Sequence, residues 1–215
     1  KWGRVDIVCN VAGYLKPGMV NKVELEQIDR HIDINVKGLM YGSQFAAAQM
    51  VSQGGGHIIN IASLAGVAPI PGIALYSASK FAVRGFSLAL AQELKPQNVA
   101  LSVICPDAIE TPMLTLQEDY DEAALTFSGS KTLTVEDIGV LVFGRVLPNQ
   151  PIELMLPRHR GWLAKMAGAE VVVCASSEEK MDKLKELGAD HAMTYMDNQF
   201  HKGVYGLYGK PGRRG

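Results

Sequence analysis

Charge of one sign, long apolar runs and cysteine are all scarce in this sequence. Its 215 residues include 21 basic and 22 acidic side chains, for a formal net charge of -1. That balance gives no reason to expect a nucleic acid or an anionic membrane as a partner. No apolar stretch reaches the length of a membrane span, and no charged-then-apolar leader opens the chain. We therefore expect a soluble, cytoplasmic protein.

The few residues that could bind metal or form disulfides are scattered. The three cysteines are Cys9, Cys105 and Cys174. Each lies in or at the end of an apolar run, which predicts buried structural thiols in a reducing compartment rather than disulfides, metal ligands or nucleophiles. The histidines that we considered as ligands are His57, His159, His191 and His201. They have no metal-ligand spacing, so we predict no metal site.

Apolar runs alternate with helical patterns along most of the chain. The runs predict strands at 5–10, 57–61, 99–105 and 152–156, and the helical patterns lie at 24–52, 74–95 and 134–147. This alternation predicts an α/β fold with a parallel sheet. We expect the first strand to be buried on both faces. Residues 107–132 are irregular, which suggests a lid or substrate loop.

The two long helical patterns differ in how their apolar residues are arranged. In the first, the predicted inward stripe is Leu25, Ile28, Ile32, Val36, Leu39 and Met40. Asn35 interrupts that stripe, and it is either a satisfied core amide or a functional group. The second helix is apolar nearly all round, so we expect it to be buried against two surfaces. A subunit interface is one candidate for the second.

Tyr76 and Lys80 are four residues apart in the second helix, which places them on one face. An ammonium about 5 Å from a phenol is worth about 3 kcal/mol at an effective dielectric near 20. That is enough to bring the tyrosine pKa towards neutrality. Ser63 follows the second predicted strand at its carboxyl end, where α/β sheets place ligands. The small residues of Asn10-Val11-Ala12-Gly13 suit either a close ligand or a simple turn.

Taken together, five stretches in order make residues 3–165 resemble the short-chain dehydrogenase/reductase family. They are Asn10-Val11-Ala12-Gly13, Ile34-Asn35-Val36, Asn60-Ile61-Ala62-Ser63, Tyr76-Ser77-Ala78-Ser79-Lys80 and the segment from Pro106 to Met113. The resemblance implies an NAD- or NADP-dependent oxidoreductase that interconverts a small alcohol and its ketone or aldehyde by hydride transfer. It also implies a homodimer or homotetramer through the helices at 24–52 and 74–95.

The resemblance also assigns roles to individual residues. Tyr76 would exchange a proton with the substrate oxygen, and Ser63 would donate a hydrogen bond to it. Lys80 would hold Tyr76 acidic and bind the cofactor ribose, while Asn35 would fix a water in a proton relay. The implied cofactor contacts are Asn10, Ala12, Gly13, Tyr76, Lys80, Pro106, Ile109 and Thr111.

This sequence departs from the family pattern at three places. Val11 replaces the second asparagine of the family's Asn-Asn-Ala-Gly, and Asp107 replaces the glycine of its Pro-Gly. The Asp107 carboxylate either weakens cofactor binding or points to solvent. The family's first glycine-rich turn, which binds the pyrophosphate, has no counterpart. We therefore predict a partial Rossmann-like, doubly wound parallel sheet that lacks its first glycine-rich βαβ unit and has an exposed apolar edge.

The pattern changes after residue 166. Residues 170–174 and 191–195 read as strands, and the stretch from Ser176 to Gly188 reads as a helix between them. This extra βαβ piece at 167–215, with a loose basic tail, resembles the cofactor domain of medium-chain dehydrogenases and quinone reductases. The chain is then either a chimera of two dehydrogenase pieces or a family member with an unusual tail.

Two further functions stay open from the sequence. One is a catalytically impaired fragment that dimerises through its long helices and binds no dinucleotide. The other is quinone-reductase-like activity from the tail, although the tail has no catalytic residue of its own.

Overall fold

The structure is a computed structural model. It describes residues 3–117, 120 and 132–156, together with the backbone of two strands at 172–175 and 191–194. The chain divides into two compact units, Lys1–Arg158 and His159–Gly215. The first contains every candidate site residue. Among the described residues, no helix is both long and apolar enough to cross a membrane.

The first unit is built around four parallel strands. These are β1 (Ile7–Asn10), β2 (Gly56–Ile61), β3 (Val99–Pro106) and β4 (Glu153–Leu156). They lie side by side in chain order, each hydrogen-bonded to the next. All four were predicted within two residues of their bounds.

Helical segments connect the strands. The first connection holds α1 (Glu26–His31), a π-helical segment (Ile32–Gly38) and α2 (Leu39–Ser52). The second holds a short 3₁₀ helix (Leu64–Gly66), α3 (Ala74–Leu94) and another 3₁₀ helix (Lys95–Gln97). The third holds α4 (Pro112–Thr115), α5 (Val135–Leu141), a π-helical segment (Val142–Val146) and α6 (Leu147–Asn149).

Apolar cores lie on both faces of this sheet. On one face, α2 and α3 pack on β2 and β3 through Ala46, Ala47, Met50, Ile58, Ala91, Leu94, Val99 and Leu101. On the other face, Val146 packs against Ile59, Ile104 and Leu154. Because helices cover both faces of a parallel sheet, the predicted α/β, Rossmann-like, doubly wound architecture is confirmed.

The prediction that β1 is buried on both faces is wrong. Val8 packs against the core under α2, but Ile7 on the alternate face is 46% exposed and Cys9 is exposed as well. Among the described strands, β1 pairs only with β2, so it forms an edge. The predicted burial of the cysteine thiols holds for Cys105 and fails for Cys9. The side chain of Cys174 lies outside the described residues.

The predicted inward stripe of the first long helix is wrong at its start. Leu25 is 80% and Ile28 is 40% exposed, whereas His31 and Asn35 are buried. Residues Ile32–Gly38 form a π-helical segment, and its wider turn interrupts the 3.6-residue period on which the predicted stripe was based. From Val36 and Leu39 onward the predicted apolar residues are buried or partly buried.

In the second unit, β5 (Val172–Ala175) and β6 (His191–Thr194) pair in parallel. Parallel pairing requires a crossover between the strands, as a βαβ unit has. The predicted helix between them and the basic tail lie outside the described residues. The resemblance of this piece to medium-chain dehydrogenases therefore stays a prediction.

Candidate active site

Ser63 lies just beyond the carboxyl end of β2, at the edge where β2 and β3 leave the sheet together. Ile61 pairs with Ile104, and the backbone N–H of Ala62 donates to the Ile104 carbonyl over 2.8 Å. The Ser63 hydroxyl caps the following 3₁₀ helix by accepting the Ala65 N–H at 3.1 Å. Strand and cap together hold the serine at this edge.

Tyr76 and Lys80 lie one above the other on the first turns of α3. The Lys80 Nζ is 5.6 Å from the centroid of the Tyr76 ring, and it donates to the Ile61 carbonyl over 2.9 Å. Lys80 is buried, whereas Tyr76 is half-buried. The Ser63 side chain lies near the Tyr76 hydroxyl and lowers its pKa. The predicted trio of Ser63, Tyr76 and Lys80 is thus assembled in one place.

The pKa of Tyr76 differs from the sequence-based expectation. Burial raises the Tyr76 pKa to about 12, although the nearby Ser63 side chain opposes the rise. Burial also lowers the Lys80 pKa to about 8. The expectation that Lys80 holds the Tyr76 pKa below its usual value is therefore wrong for this structure, because desolvation penalises both charged forms. Near neutral pH, Tyr76 is a protonated phenol.

Asn35 lies in the π-helical segment, and both the oxygen and the nitrogen of its side-chain amide form hydrogen bonds. Its Oδ1 accepts the Tyr14 N–H at 2.6 Å, and its Nδ2 donates to the Tyr14 carbonyl at 2.8 Å and to Ser79 Oγ at 2.9 Å. Ser79 in turn donates to the Tyr76 carbonyl at 2.7 Å. Of the two interpretations of Asn35, the satisfied core amide is what these contacts describe. The chain of contacts also links the loop at Tyr14 to the turn of α3 that carries Tyr76.

Asn10 belongs to a second polar group, which we call the polar cluster: Asn10, Ser43, Asn60 and Ser87. Asn10 Nδ2 donates to Asn60 Oδ1 at 2.8 Å and to Ser43 Oγ at 3.1 Å. Asn60 Nδ2 donates to Ser87 Oγ at 2.9 Å. Sequence reasoning missed the last three members. An available signal was Asn60 itself, a polar residue inside the apolar strand Ile58–Ile61.

Gly66 brings the turn after Ser63 directly against α3. A Cβ at this position would lie 2.5 Å from the Lys80 carbonyl oxygen and 2.7 Å from its carbonyl carbon. These are backbone atoms inside a helix, so they cannot move aside as a side chain could. The absence of a side chain at Gly66 therefore sets the distance between the Ser63 turn and the helix that carries Tyr76 and Lys80.

A cavity of about 200 Å³ opens between these elements. The sequence-predicted residues that line it are Gly13, Ser63, Tyr76, Lys80, Pro106, Ile109 and Thr111. Asn10, Ala12 and Asn35 are not in its lining. The residues that sequence reasoning missed are mostly aliphatic: Leu15, Leu64, Ile70, Ile73, Met113 and Leu114, with Gln117 as a polar addition. Asp107, which the sequence marked as a departure from the family's Pro-Gly, also lines the cavity and does not simply point to solvent. The cavity is therefore an apolar space into which a few polar groups project.

A larger depression of about 570 Å³ lies at the opposite, amino-terminal ends of the strands. Its lining includes residues 54–56, Asn98 and Val99, and its charged members are Arg4 and Lys95. The predicted site residues lie at the other end of the sheet, where α/β folds bind their ligands. We therefore place the candidate site in the smaller cavity.

Comparison with known proteins shows the same family. The family model described as short chain dehydrogenase matches residues 1–121. A 3-oxoacyl-[acyl-carrier-protein] reductase of Thermotoga maritima is 35% identical over 127 residues, which are 59% of this chain and 52% of the relative. The solved acetoin dehydrogenase of Enterobacter cloacae is 27% identical with a TM-score of 0.60, covering 72% of this chain and 64% of that one.

A second solved structure, ElxO with NADP bound, has a TM-score of 0.63 at 24% identity and covers 72% of this chain and 66% of that one, which shows a shared fold. This chain spans about half the length of the first curated relatives that it matches. Since the family model matches more than half of the chain, this protein belongs to the short-chain dehydrogenase family.

Proposed function

We propose that this chain contributes to an NAD(P)-dependent oxidoreductase that interconverts a small alcohol and its ketone or aldehyde. One observation carries the proposal: Ser63 and Tyr76 line the same mostly apolar cavity, and the Ser63 side chain is near enough to the Tyr76 hydroxyl to lower its pKa. Two converging hydroxyls can both bind a single carbonyl oxygen. The names of the similar reductase and acetoin dehydrogenase agree with this chemistry.

Tyr76 would act as the proton donor in the direction of reduction. With a pKa raised to about 12, its phenol is protonated at neutral pH and can transfer that proton to an oxygen as negative charge develops there. The Ser63 hydroxyl would donate a hydrogen bond to the same oxygen and stabilise the charge. The aliphatic walls would exclude water from the reacting carbonyl and so strengthen both interactions.

Lys80 and Asn35 would act next to Tyr76 and Ser63 without donating to the substrate oxygen themselves. Lys80 holds one N–H on the Ile61 carbonyl, and its remaining N–H groups could reach the ribose hydroxyls of a dinucleotide. Asn35 remains a proposed relay residue. Because its side-chain amide is already bound to Tyr14 and Ser79, a relay water would have to use another atom of the residue.

The lining of the cavity fits the nicotinamide end of NAD or NADP, which would supply or accept the hydride. A Cβ at Gly13 would lie 3.5 Å from Met113 Cε and 3.8 Å from Lys80 Nζ, so the missing side chain leaves room beside the lysine. Pro106, Ile109 and Thr111 complete that side of the cavity. Asn10 and Ala12 would act from outside the cavity, with Asn10 held by the polar cluster.

The test is oxidation of NADH or NADPH by the full polypeptide, followed by absorbance with a panel of ketones. Tyr76→Phe should lower kcat by about 100-fold to 10,000-fold, the usual share of a general acid, and leave the fold intact by circular dichroism. The matched control is Tyr41→Phe, which removes the hydroxyl of an exposed tyrosine on α2. Equal turnover by wild type and Tyr76→Phe would remove Tyr76 from the mechanism.

We also propose that the chain assembles as a homo-oligomer through α2 and α3. Phe45 is 74% and Tyr41 is 59% exposed on α2, and Phe81 is 40% exposed on α3. A groove between these helices is lined by Met40, Tyr41, Gln44, Ala47, Phe86 and Leu90. Burial of such side chains against a second copy would remove apolar surface from water.

Sedimentation of the wild type and of Phe45→Glu tests this assembly. The variant should shift the population towards monomer, and an unchanged sedimentation coefficient would contradict the proposal. Calorimetry with NADH and NADPH then separates the oxidoreductase from the rival hypothesis of a dimerising fragment. That rival predicts assembly without any dinucleotide binding.

A further inference from the structure

Asp107 is the first residue beyond β3, at the same edge of the sheet as Ser63. Its backbone N–H donates to the Leu156 carbonyl at 2.8 Å, which ties it to β4. Ile61 of β2 pairs with Ile104 of β3. Ser63 lies two residues beyond Ile61, and Asp107 lies three residues beyond Ile104. Both residues line the candidate cavity. The position is therefore anchored on the side of the sheet where Ser63 and Tyr76 meet.

Within the part of the chain that the structure describes, the Asp107 carboxyl has little positive charge near it. Among the described residues that line the cavity, Lys80 is the one cation and Asp107 the one anion, and the Lys80 ammonium is bound to the Ile61 carbonyl. Burial raises the pKa of the Asp107 carboxyl, while a hydrogen bond from the Ala108 backbone lowers it. A half-buried carboxylate in such a space favours hydrogen-bond donors and disfavours a second negative charge.

We propose that Asp107 determines substrate specificity by selecting carbonyl compounds that carry a hydroxyl or ammonium donor near the carbonyl and rejecting those that carry a carboxylate. This inference rests on the proposed function, since it concerns the substrate of the same cavity. A donor on the substrate would satisfy the carboxylate oxygens, whereas a substrate anion would add like-charge repulsion inside an apolar wall. Asp107, Ser63 and Tyr76 all line this one cavity of about 200 Å³.

The experiment uses three four-carbon probes: 2-butanone, 1-hydroxy-2-butanone and 2-oxobutanoate. Each is assayed at pH 8 with wild type and with Asp107→Asn, which keeps the shape of the side chain and removes its charge. In the wild type, kcat/KM should favour the hydroxyketone over the keto acid. In Asp107→Asn the ratio of these two values should fall by about tenfold or more, as expected when one desolvated charge is removed.

Glu110→Gln is the matched control. Glu110 is an exposed carboxylate three residues along the chain, outside the cavity lining, which accepts a hydrogen bond from Thr132 at 2.7 Å. Its neutralisation should leave the ratio within about twofold, since exposed charges are screened by solvent. An equal fall in both variants would assign the selectivity to overall charge and overturn the role of Asp107.

A binding readout without turnover separates this inference from the proposed function. Saturation-transfer NMR with the same probes should show the hydroxyketone binding more tightly than the keto acid, and Asp107→Asn should reduce that difference. If this binding preference is seen but no ketone is turned over, the role of Asp107 in selectivity stands and the oxidoreductase proposal is overturned. Turnover with an unchanged ratio in Asp107→Asn would overturn the Asp107 assignment alone. Failure of every probe to bind would overturn both.

Discussion

The polar cluster and the candidate site both place hydroxyl, amide or amine groups inside an apolar environment, yet they treat those groups differently. In the polar cluster, Asn60 and Ser87 are 0% exposed and bond to each other, and Ser87 also donates to the Val83 carbonyl at 2.7 Å. In the site, Tyr76 and Ser63 line an open cavity, and the Ser63 side chain lowers the pKa of the Tyr76 hydroxyl.

The difference shows how one sheet can use similar side chains for two purposes. Groups whose hydrogen bonds are all made internally stabilise and orient the structure. Groups that border an open cavity keep the capacity to bind a substrate, and their buried surroundings shift their pKa values. We therefore expect changes in the polar cluster to act mainly on stability and changes in the site to act mainly on chemistry.

The largest expected effect on stability comes from Asn60→Ala. Loss of this amide leaves Asn10, Ser43 and Ser87 without a central partner in a buried space, which should cost about 2 to 4 kcal/mol of unfolding free energy. Urea denaturation followed by circular dichroism measures it. The control is Asn149→Ala, an exposed asparagine with one bond to the Arg145 carbonyl, for which a change within about 0.5 kcal/mol is expected. Similar losses of unfolding free energy in Asn60→Ala and Asn149→Ala would show that the polar cluster stabilises the fold no more than an exposed asparagine does.

The next effect concerns Lys80 and pH. Its pKa of about 8 in the folded chain lies below the ordinary 10.5, so the unfolded chain binds more protons between these values. Stability therefore rises with pH from about 8 to 10.5 on account of this group. Relative to Lys80→Met, the wild type should gain roughly 2 kcal/mol between pH 7 and 10.

Urea denaturation at a series of pH values measures this gain. Tyr76 and Cys105, whose pKa values are both raised to about 12, are present in both proteins, so their contributions cancel apart from the electrostatic interaction between Lys80 and Cys105. Lys37→Met is the control, since Lys37 is an exposed lysine paired with Asp33 and its pKa is raised. Parallel profiles for wild type and Lys80→Met would show that Lys80 is not desolvated.

The smallest expected effect on stability tests the contact between the Ser63 turn and α3. Gly66→Ala forces a methyl group against the Lys80 backbone and should cost about 1 to 2 kcal/mol. It should also lower the kcat of the proposed reaction, because it moves Ser63 away from Tyr76. Gly85→Ala, in an open position on the same helix, should instead stabilise by up to about 1 kcal/mol. An unchanged kcat in Gly66→Ala would show that the packing of the Ser63 turn against α3 does not affect the proposed reaction.

Much of the first unit could be predicted from local patterns. Apolar runs bounded by turns located β1 to β4, and helical periodicity located α2, α3 and α5, because these patterns depend on residues close in sequence. The errors arose where the helical period was interrupted and where burial depended on a strand's place in the sheet. Leu25 and Ile28 were expected inside, but the π-helical segment interrupts the period of this helix, and no simple period anticipates such a segment.

The same division holds at the candidate site. The spacing of Tyr76 and Lys80 and the position of Ser63 after a strand were visible in the sequence, since they follow from helix geometry and strand ends. The catalytic roles of these residues stay predictions. The partners of Asn35 and Asn10 were not visible, because Tyr14, Ser79, Ser43 and Ser87 approach them only after helices pack on the sheet.

By itself, the sequence determined which residues could perform acid and base chemistry and the order of the strands that carry them. Only the tertiary structure decided their electrostatic state. Burial raises the pKa of Tyr76 and lowers that of Lys80, the reverse of what their spacing predicted for the tyrosine. The reason is that a pKa depends on the solvent excluded by the whole surrounding fold, whereas spacing records only one neighbour along one helix.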